Sequence, residues 1–402
     1  MTNTIAISER QFTWLVALFT VGNAILVMPS TLASIVRQDA WISCLLGIAI
    51  AILILPLYRH LGRRIAGSGM ASFAEAALGR WSGKAAMVLF ILAAPFQIAA
   101  LTLRDIGDFM TTQIMPETPI GAVHILFLCI VVMGVRLGLE TIARAVEIFV
   151  PFVFILFVLL VSMISPQIEL TNVQPVLENG FGPVLKGSIL VASFPLLDCG
   201  YLIMLLPSVR PSKHGGRFML KGLLFGSFAI FVVTSLSILV TGTSNTARQT
   251  FSGYALARKI FIGGIIDRIE IIVAVIWFIT VFVKLTLLLY VAASGLAATF
   301  RFRDHRSLTL PLALILSILA VLLLPNSSFR TTLLSGMALY SLIWTVGFPL
   351  LLLAVAIMRG IGREQLPGTA GSGLPPDQAG APASGKTATN NEQDSGTSSD
   401  TP

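Results

Sequence analysis

Three observations predict an all-α integral membrane protein of about ten transmembrane helices. The 402-residue chain is 55% hydrophobic and only 11% charged. Its mean hydropathy is +0.88. Its apolar residues gather into long runs separated by short polar stretches. A soluble domain carries about 25% charged residues, so most of this chain's surface meets something other than water. The net charge of +8 does not point to nucleic acid, because the basic residues are dispersed through the loops between apolar runs.

A spanning helix needs roughly 20 mostly apolar residues. Ten segments qualify: 11–36, 41–58, 85–103, 118–135, 148–168, 187–209, 222–247, 271–300, 307–329 and 331–358. Eight contain no Asp, Glu, Lys or Arg, and the other two contain one each, Asp198 and Lys284. Backbone N–H and C=O groups cannot stay unpaired in hydrocarbon, so these segments are expected to be helical. Ten crossings put both termini on one side. That side carries 18 Lys and Arg against 8 on the other, which places the termini in the cytoplasm. The first apolar run is too long for a signal-peptide core, so no cleavable leader is expected.

The three cysteines, Cys44, Cys129 and Cys199, fall within spans without metal-ligand spacing and read as small buried apolar residues. Ser72 and Glu75 form a capping-box pattern, predicting a short helix at the inner membrane surface. Residues 1–360 form the expected permease-like domain. The stretch 361–402, rich in Gly, Ser, Thr, Pro, Ala and Asn, reads as a disordered cytoplasmic tail.

Two spans share a pattern. The first holds Gly22 and the sixth Gly200, each followed by six residues and then Pro-Ser. The glycines are 178 residues, or five spans, apart, so the second copy crosses in the opposite direction. That is the signature of a 5+5 inverted repeat with discontinuous helices 1 and 6. Glycine loosens a helix and proline removes a backbone donor. The freed backbone groups near the midplane can hold the charged ends of a small zwitterion such as an amino acid.

Asp198 lies halfway between Lys186 and Arg210, flanked by Pro195 and Gly200, and Lys284 lies 14 residues after Glu270. Both are therefore deep. A charge at that depth costs roughly 2.5–3.5 kcal/mol on insertion scales and usually faces a cavity or a counter-charge. The expectation is that Asp198 and Lys284 line one polar cavity, as an ion pair or a ligand or proton site. A lysine there can stand where a transporter otherwise holds a coupling cation, or exchange a proton. Asn23, beside the break in span 1, is a further ligand candidate, so the predicted ligand-binding set is Gly22, Asn23, Asp198, Gly200 and Lys284.

Other polar groups read as structural. Glu140 and Arg144 have the spacing of a helical ion pair and, with Arg136, suggest a loop clamp between spans 4 and 5. Arg104, Asp105 and Asp108 read as a solvated outer helix end. Pro116-Glu117-Thr118-Pro119 reads as a rigid turn into span 4, and His124 as a satisfied buried histidine. The chain has no Gly-rich phosphate loop, no His-Glu-x-x-His and no Gly-x-Ser-x-Gly, so neither an ATP-driven pump nor a hydrolase is expected, and no cofactor or metal site.

Several stretches carry a family resemblance: Ile7-Ser8-x-x-Gln11-Phe12, Gly22 through Pro29, Gln38-Asp39-Ala40-Trp41, Pro116-Glu117-Thr118-Pro119, Asn172 through Gly180, Leu205-Leu206-Pro207 and the Lys284 helix. Most specific is Arg136-x-Gly138-x-Glu140-Thr141-Ile142-Ala143-Arg144. In these the chain resembles the B subunit of spore germination nutrient receptors, the endospore germination permeases. The resemblance implies the fold of amino-acid permeases of the polyamine and organocation superfamily and residence in the inner membrane of the spore. It also implies assembly with an A-type membrane subunit and a C-type lipoprotein, and binding of a small germinant, often an amino acid. The chain departs from the family at Asp198, where Glu is frequent, and in its longer tail. Two functions fit one cavity: a receptor subunit that signals through partners, or a proton-coupled secondary transporter.

Overall fold

Span 1 is two helices rather than one. The computed structural model describes residues 7–65, 68–210, 217–259, 269–323 and 336–361. Helix α1 (Glu9–Val21) opens with a reciprocal capping box between Ser8 and Gln11. It stops at Gly22, whose φ of +30° a residue with a Cβ rarely adopts. Helix α2 (Ala24–Val36) then resumes after Asn23 and carries Pro29 inside it. A 3₁₀ turn at Arg37–Asp39 leads into α3 (Ala40–Ile65), the second span.

The remaining chain follows the predicted order. Helix α4 (Met70–Leu78) is the short helix between spans 2 and 3. Span 3 comprises α5 (Arg80–Ile91), a π turn at Leu92–Phe96 containing Pro95, and α6 (Gln97–Phe109). Spans 4 and 5 are α7 (Ile120–Leu137) and α8 (Leu139–Ile164). Span 6 begins as α9 (Phe181–Val191) and breaks at Ala192–Leu196, where Phe194 is extended at φ −136° and ψ 115°. It continues as a 3₁₀ helix, Leu197–Ser208. Span 7 is α10 (Arg217–Thr241), followed by the short α11 (Thr243–Arg248) and α12 (Ser252–Arg258). Spans 8 to 10 are α13 (Glu270–Phe300), α14 (Arg306–Leu323) and α15 (Gly336–Met358). Nine segments of the described residues are individually long and apolar enough to cross a bilayer, one of them Ala24–Ile65, which joins α2 to α3. Helix α1 adds the first half of span 1.

Packing follows from small residues and from apolar faces. Gly222 and Gly226 bring α10 onto α1, so closely that added Cβ atoms would lie 2.4 Å from the Thr13 carbonyl oxygen and 2.7 Å from the Thr20 Cβ. On the periphery, Ile125, Leu126, Ile148, Phe154, Leu314 and Ile318 are exposed, a surface suited to hydrocarbon and not to water. The ends of the two broken spans meet: Ile7 N–H donates to the Ser208 carbonyl at 2.9 Å, and Arg210 N–H donates to the Ile7 carbonyl at 3.0 Å.

Four expectations need correction. The break in span 6 opens at Phe194 and Pro195, ahead of Asp198, not at Gly200, because the proline has no N–H to continue the ladder. Ser72 does not cap α4: the helix starts earlier, after Gly69, and has no side-chain cap. Cys44 and Cys199 are buried, but Cys129 is exposed on the outer face of α7. His124 is buried, yet neither ring nitrogen has a hydrogen-bond partner among the described residues. The expected Glu140–Arg144 pair forms at the start of α8, largely exposed, and Arg136 in the last turn of α7 takes no part in it. Pro119 caps the start of α7, as the rigid turn requires. Residues 324–329, 331–335 and, except Ile361, the expected tail lie outside the described residues.

Candidate functional site

The two helix breaks and the middle of α13 bring the predicted residues together. Lys284 projects from α13, and its Nζ lies 3.6 Å from Asp198 Oδ2; both side chains are fully buried. Gly22 is required for this approach. A Cβ at that position would lie 2.5 Å from Lys284 Cδ, so the lysine stem passes over the space a side chain would fill. The Gly22 carbonyl, freed by the break, accepts a bond from Thr280 Oγ1 at 3.2 Å, one turn away on α13.

Asn23 joins this pair to a second carboxylate. Lys284 Nζ donates to Asn23 Oδ1 at 3.1 Å, and Asn23 Nδ2 donates to Asp105 Oδ2 at 2.7 Å. On the other side, Ser341 Oγ of α15 donates to Asp198 Oδ1 at 3.3 Å and to the Ser193 carbonyl at 2.9 Å. A continuous polar chain thus runs from Ser341 through Asp198, Lys284 and Asn23 to Asp105, linking α15, span 6, α13, the break in span 1 and α6. Asp198 Oδ2 has no hydrogen-bond partner within 3.5 Å among the described residues and lies 3.6 Å from the lysine.

Apolar groups seal the chain. Phe19 and Phe194 place their rings 5.3 and 5.0 Å from Lys284 Nζ. Toward the start of α13, Phe109, Phe251, Tyr254 and Phe278 pack around Trp277 or each other. Toward the end of span 6, Phe90 contacts Tyr201, Trp344 and Phe348. Asn23, Asp198 and Lys284 are all buried within this shell.

Of the predicted set, Gly22, Asn23, Asp198 and Lys284 meet directly. Gly200 stands apart from the polar chain: the Tyr58 ring fills the space where its Cβ would be, 2.6 Å away, and Tyr58 donates to the Leu197 carbonyl at 3.1 Å. Asp105 was expected at a solvated helix end and is instead buried on the Asn23 amide; only its neighbours Arg104 and Asp108 form the outer ion pair, at 2.8 Å. Helical spacing carried the missed signal, since Ile98, Thr102, Asp105 and Phe109 lie on one buried stripe of α6. Ser341 and Phe19 had no distinguishing pattern.

A sequence profile of spore germination proteins matches residues 6–329. The chain belongs to this family. Among its relatives, spore germination protein KB of Bacillus subtilis (strain 168) is 27% identical over 90% of this chain and 97% of its own length. Spore germination protein A2 of the same organism is 23% identical over 58% of this chain and 64% of its own. Solved structures share the fold at low identity. The nucleobase-cation-symport-1 transporter Mhp1, closed with bromovinylhydantoin bound, superposes with a TM-score of 0.64 at 14% identity, covering 86% of this chain and 80% of that one. MhsT in complex with L-phenylalanine gives a TM-score of 0.64 at 16% identity over 89% of each chain. This spore germination protein is therefore a multi-pass membrane protein with the inverted-repeat transporter fold, and it is not an enzyme.

Proposed function

We propose that this spore germination protein is the ligand-binding membrane subunit of a nutrient germinant receptor. Its ligand is a small germinant, an amino acid held between the two helix breaks. The supporting observation is the fully buried Asp198–Lys284 pair at those breaks. Separating the two partners offers a carboxylate to an ammonium group and an ammonium to a carboxylate, which is the charge pattern of a zwitterion. Burying two opposite charges in a membrane is costly unless they are paired, so a ligand that pairs with both can replace their mutual contact.

On this reading the subunit resides in the inner membrane of the spore. It works with an A-type membrane subunit and a C-type lipoprotein, through which binding is converted into germination. The transporter fold supports a second reading, proton-coupled amino-acid uptake by this chain alone.

A thermal-shift screen of amino acids on the purified full-length protein tests the receptor reading. Saturable stabilisation by at least one amino acid, lost in Asp198→Asn, supports it; no stabilisation by any of them contradicts it. Uptake of the stabilising compound into vesicles then separates the two readings. Binding without flux supports the receptor, and saturable flux supports the transporter.

A further inference from the structure

We propose that Lys284 Nζ occupies a built ammonium-binding cage, and that a ligand bearing a compact primary ammonium group displaces it. Lys284 is then the cage's resident occupant and a competitor of the ligand. This rests on the proposed reading of the midplane as a ligand site and specifies which ligand group enters it and where.

The cage has four walls. Asn23 Oδ1 stands 3.1 Å from Nζ and Asp198 Oδ2 3.6 Å away, two acceptors for an –NH₃⁺ group with three donors. Phe19 and Phe194 present their rings at 5.3 and 5.0 Å, within the range at which an aromatic face attracts a cation. The enclosure is complete, since Lys284 and Asp198 are fully shielded from solvent. A carboxylate, an amide oxygen and two aromatic faces around one point are a recognition set for a small cation.

The tether explains why the occupant can be displaced. The lysine stem is tethered to α13 and passes directly over Gly22. From there its ammonium stays 3.6 Å from Asp198 Oδ2, which has no closer hydrogen-bond donor among the described residues. A charge-assisted N–H···O contact is shortest at about 2.7–2.9 Å. An untethered ammonium can close that gap while keeping the amide oxygen and the two rings. The freed Lys284 then faces whatever anionic group the same ligand carries.

The test uses purified full-length protein and simple alkylammonium chlorides. Lys284→Ala lacks three carbons and the nitrogen, which n-propylammonium replaces. Lys284→Met ends one atom short of the nitrogen, which ammonium itself replaces. The expected result is a saturable rise in melting temperature, largest with n-propylammonium for Lys284→Ala and with ammonium for Lys284→Met, and lost in both when Asp198→Asn is added. A series without a length optimum, or one unaffected by Asp198→Asn, overturns the proposal. So does failure of both variants to fold with the matched amine supplied throughout purification, because that amine restores the contacts of the missing group. The outcome is separable from that of the receptor reading. Amine rescue without amino-acid binding by the wild type upholds the cage and rejects the germinant; amino-acid binding without amine rescue does the reverse.

Discussion

Lys284 Nζ and Asp198 Oδ2 lie 3.6 Å apart, with both side chains fully buried, at the point where the two discontinuous spans meet α13. Neither residue has a second opposite charge on its own helix turn. Each is held by the other and by the neutral Asn23 and Ser341, and the carboxylate of Asp105 stands behind Asn23 on the lysine's side.

Removing one member of this pair strands the other. Asp198→Asn is expected to lower stability by about 3–5 kcal/mol, the usual cost of breaking a buried ion pair from one side. The double variant Asp198→Asn with Lys284→Met should be more stable than Asp198→Asn alone. Thermal unfolding of the purified variants in a double-mutant cycle measures the coupling.

Gly22→Ala should be destabilising by about 1–3 kcal/mol, because φ is positive there and the new Cβ meets Lys284 Cδ at 2.5 Å. Gly22→Ala should cost less in a Lys284→Ala background than in the wild type, though still something, because truncating the lysine removes its clash but not the backbone strain or the approach to the Phe19 carbonyl at 2.9 Å. Melting temperatures of the three variants decide this.

Asp39 holds the loop between α8 and α9. Its Oδ1 accepts the Leu177 N–H at 2.9 Å, while Gln38 Nε2 donates to the Pro175 carbonyl at 2.8 Å and to Glu178 Oε2 at 2.9 Å. Asp39→Ala should speed amide exchange around Leu177 and increase proteolysis within 174–180, with little change at the midplane site. Hydrogen-exchange mass spectrometry reads both regions in one experiment.

Glu75 of α4 pairs with the exposed Arg301, just after α13, at 3.0 Å. Glu75→Gln should change stability by about 1 kcal/mol or less, since solvent screens such pairs. A loss as large as that of Asp198→Asn would show that this contact is not an ordinary surface pair.

The broken spans were legible because each fault has a backbone cause. Gly22 marks its break directly, and Pro195 marks the other more accurately than Gly200 does. Lys284 and Asp198 were legible because a charge inside an apolar run has few physical excuses. Asp105 was not, since at a helix end the same residue type is ordinarily solvated, and only the packing of α6 shows which side it faces. Ser341 was invisible in principle: serine is common in spans, and its role comes from where α15 docks. Cys129 was misread because burial within a span depends on rotation about the helix axis, which composition does not report.

Germination of spores that carry Asp198→Asn in place of the wild-type residue, with the protein level measured in the same spores, tests the part this carboxylate plays in sensing. Germination triggered by the receptor's germinant, scaled to the amount of subunit present, should be lost in these spores, beyond the fall in level that the stranded Lys284 itself causes. A normal response at normal concentration of germinant would contradict it, because the carboxylate between the two helix breaks would then have no part in sensing.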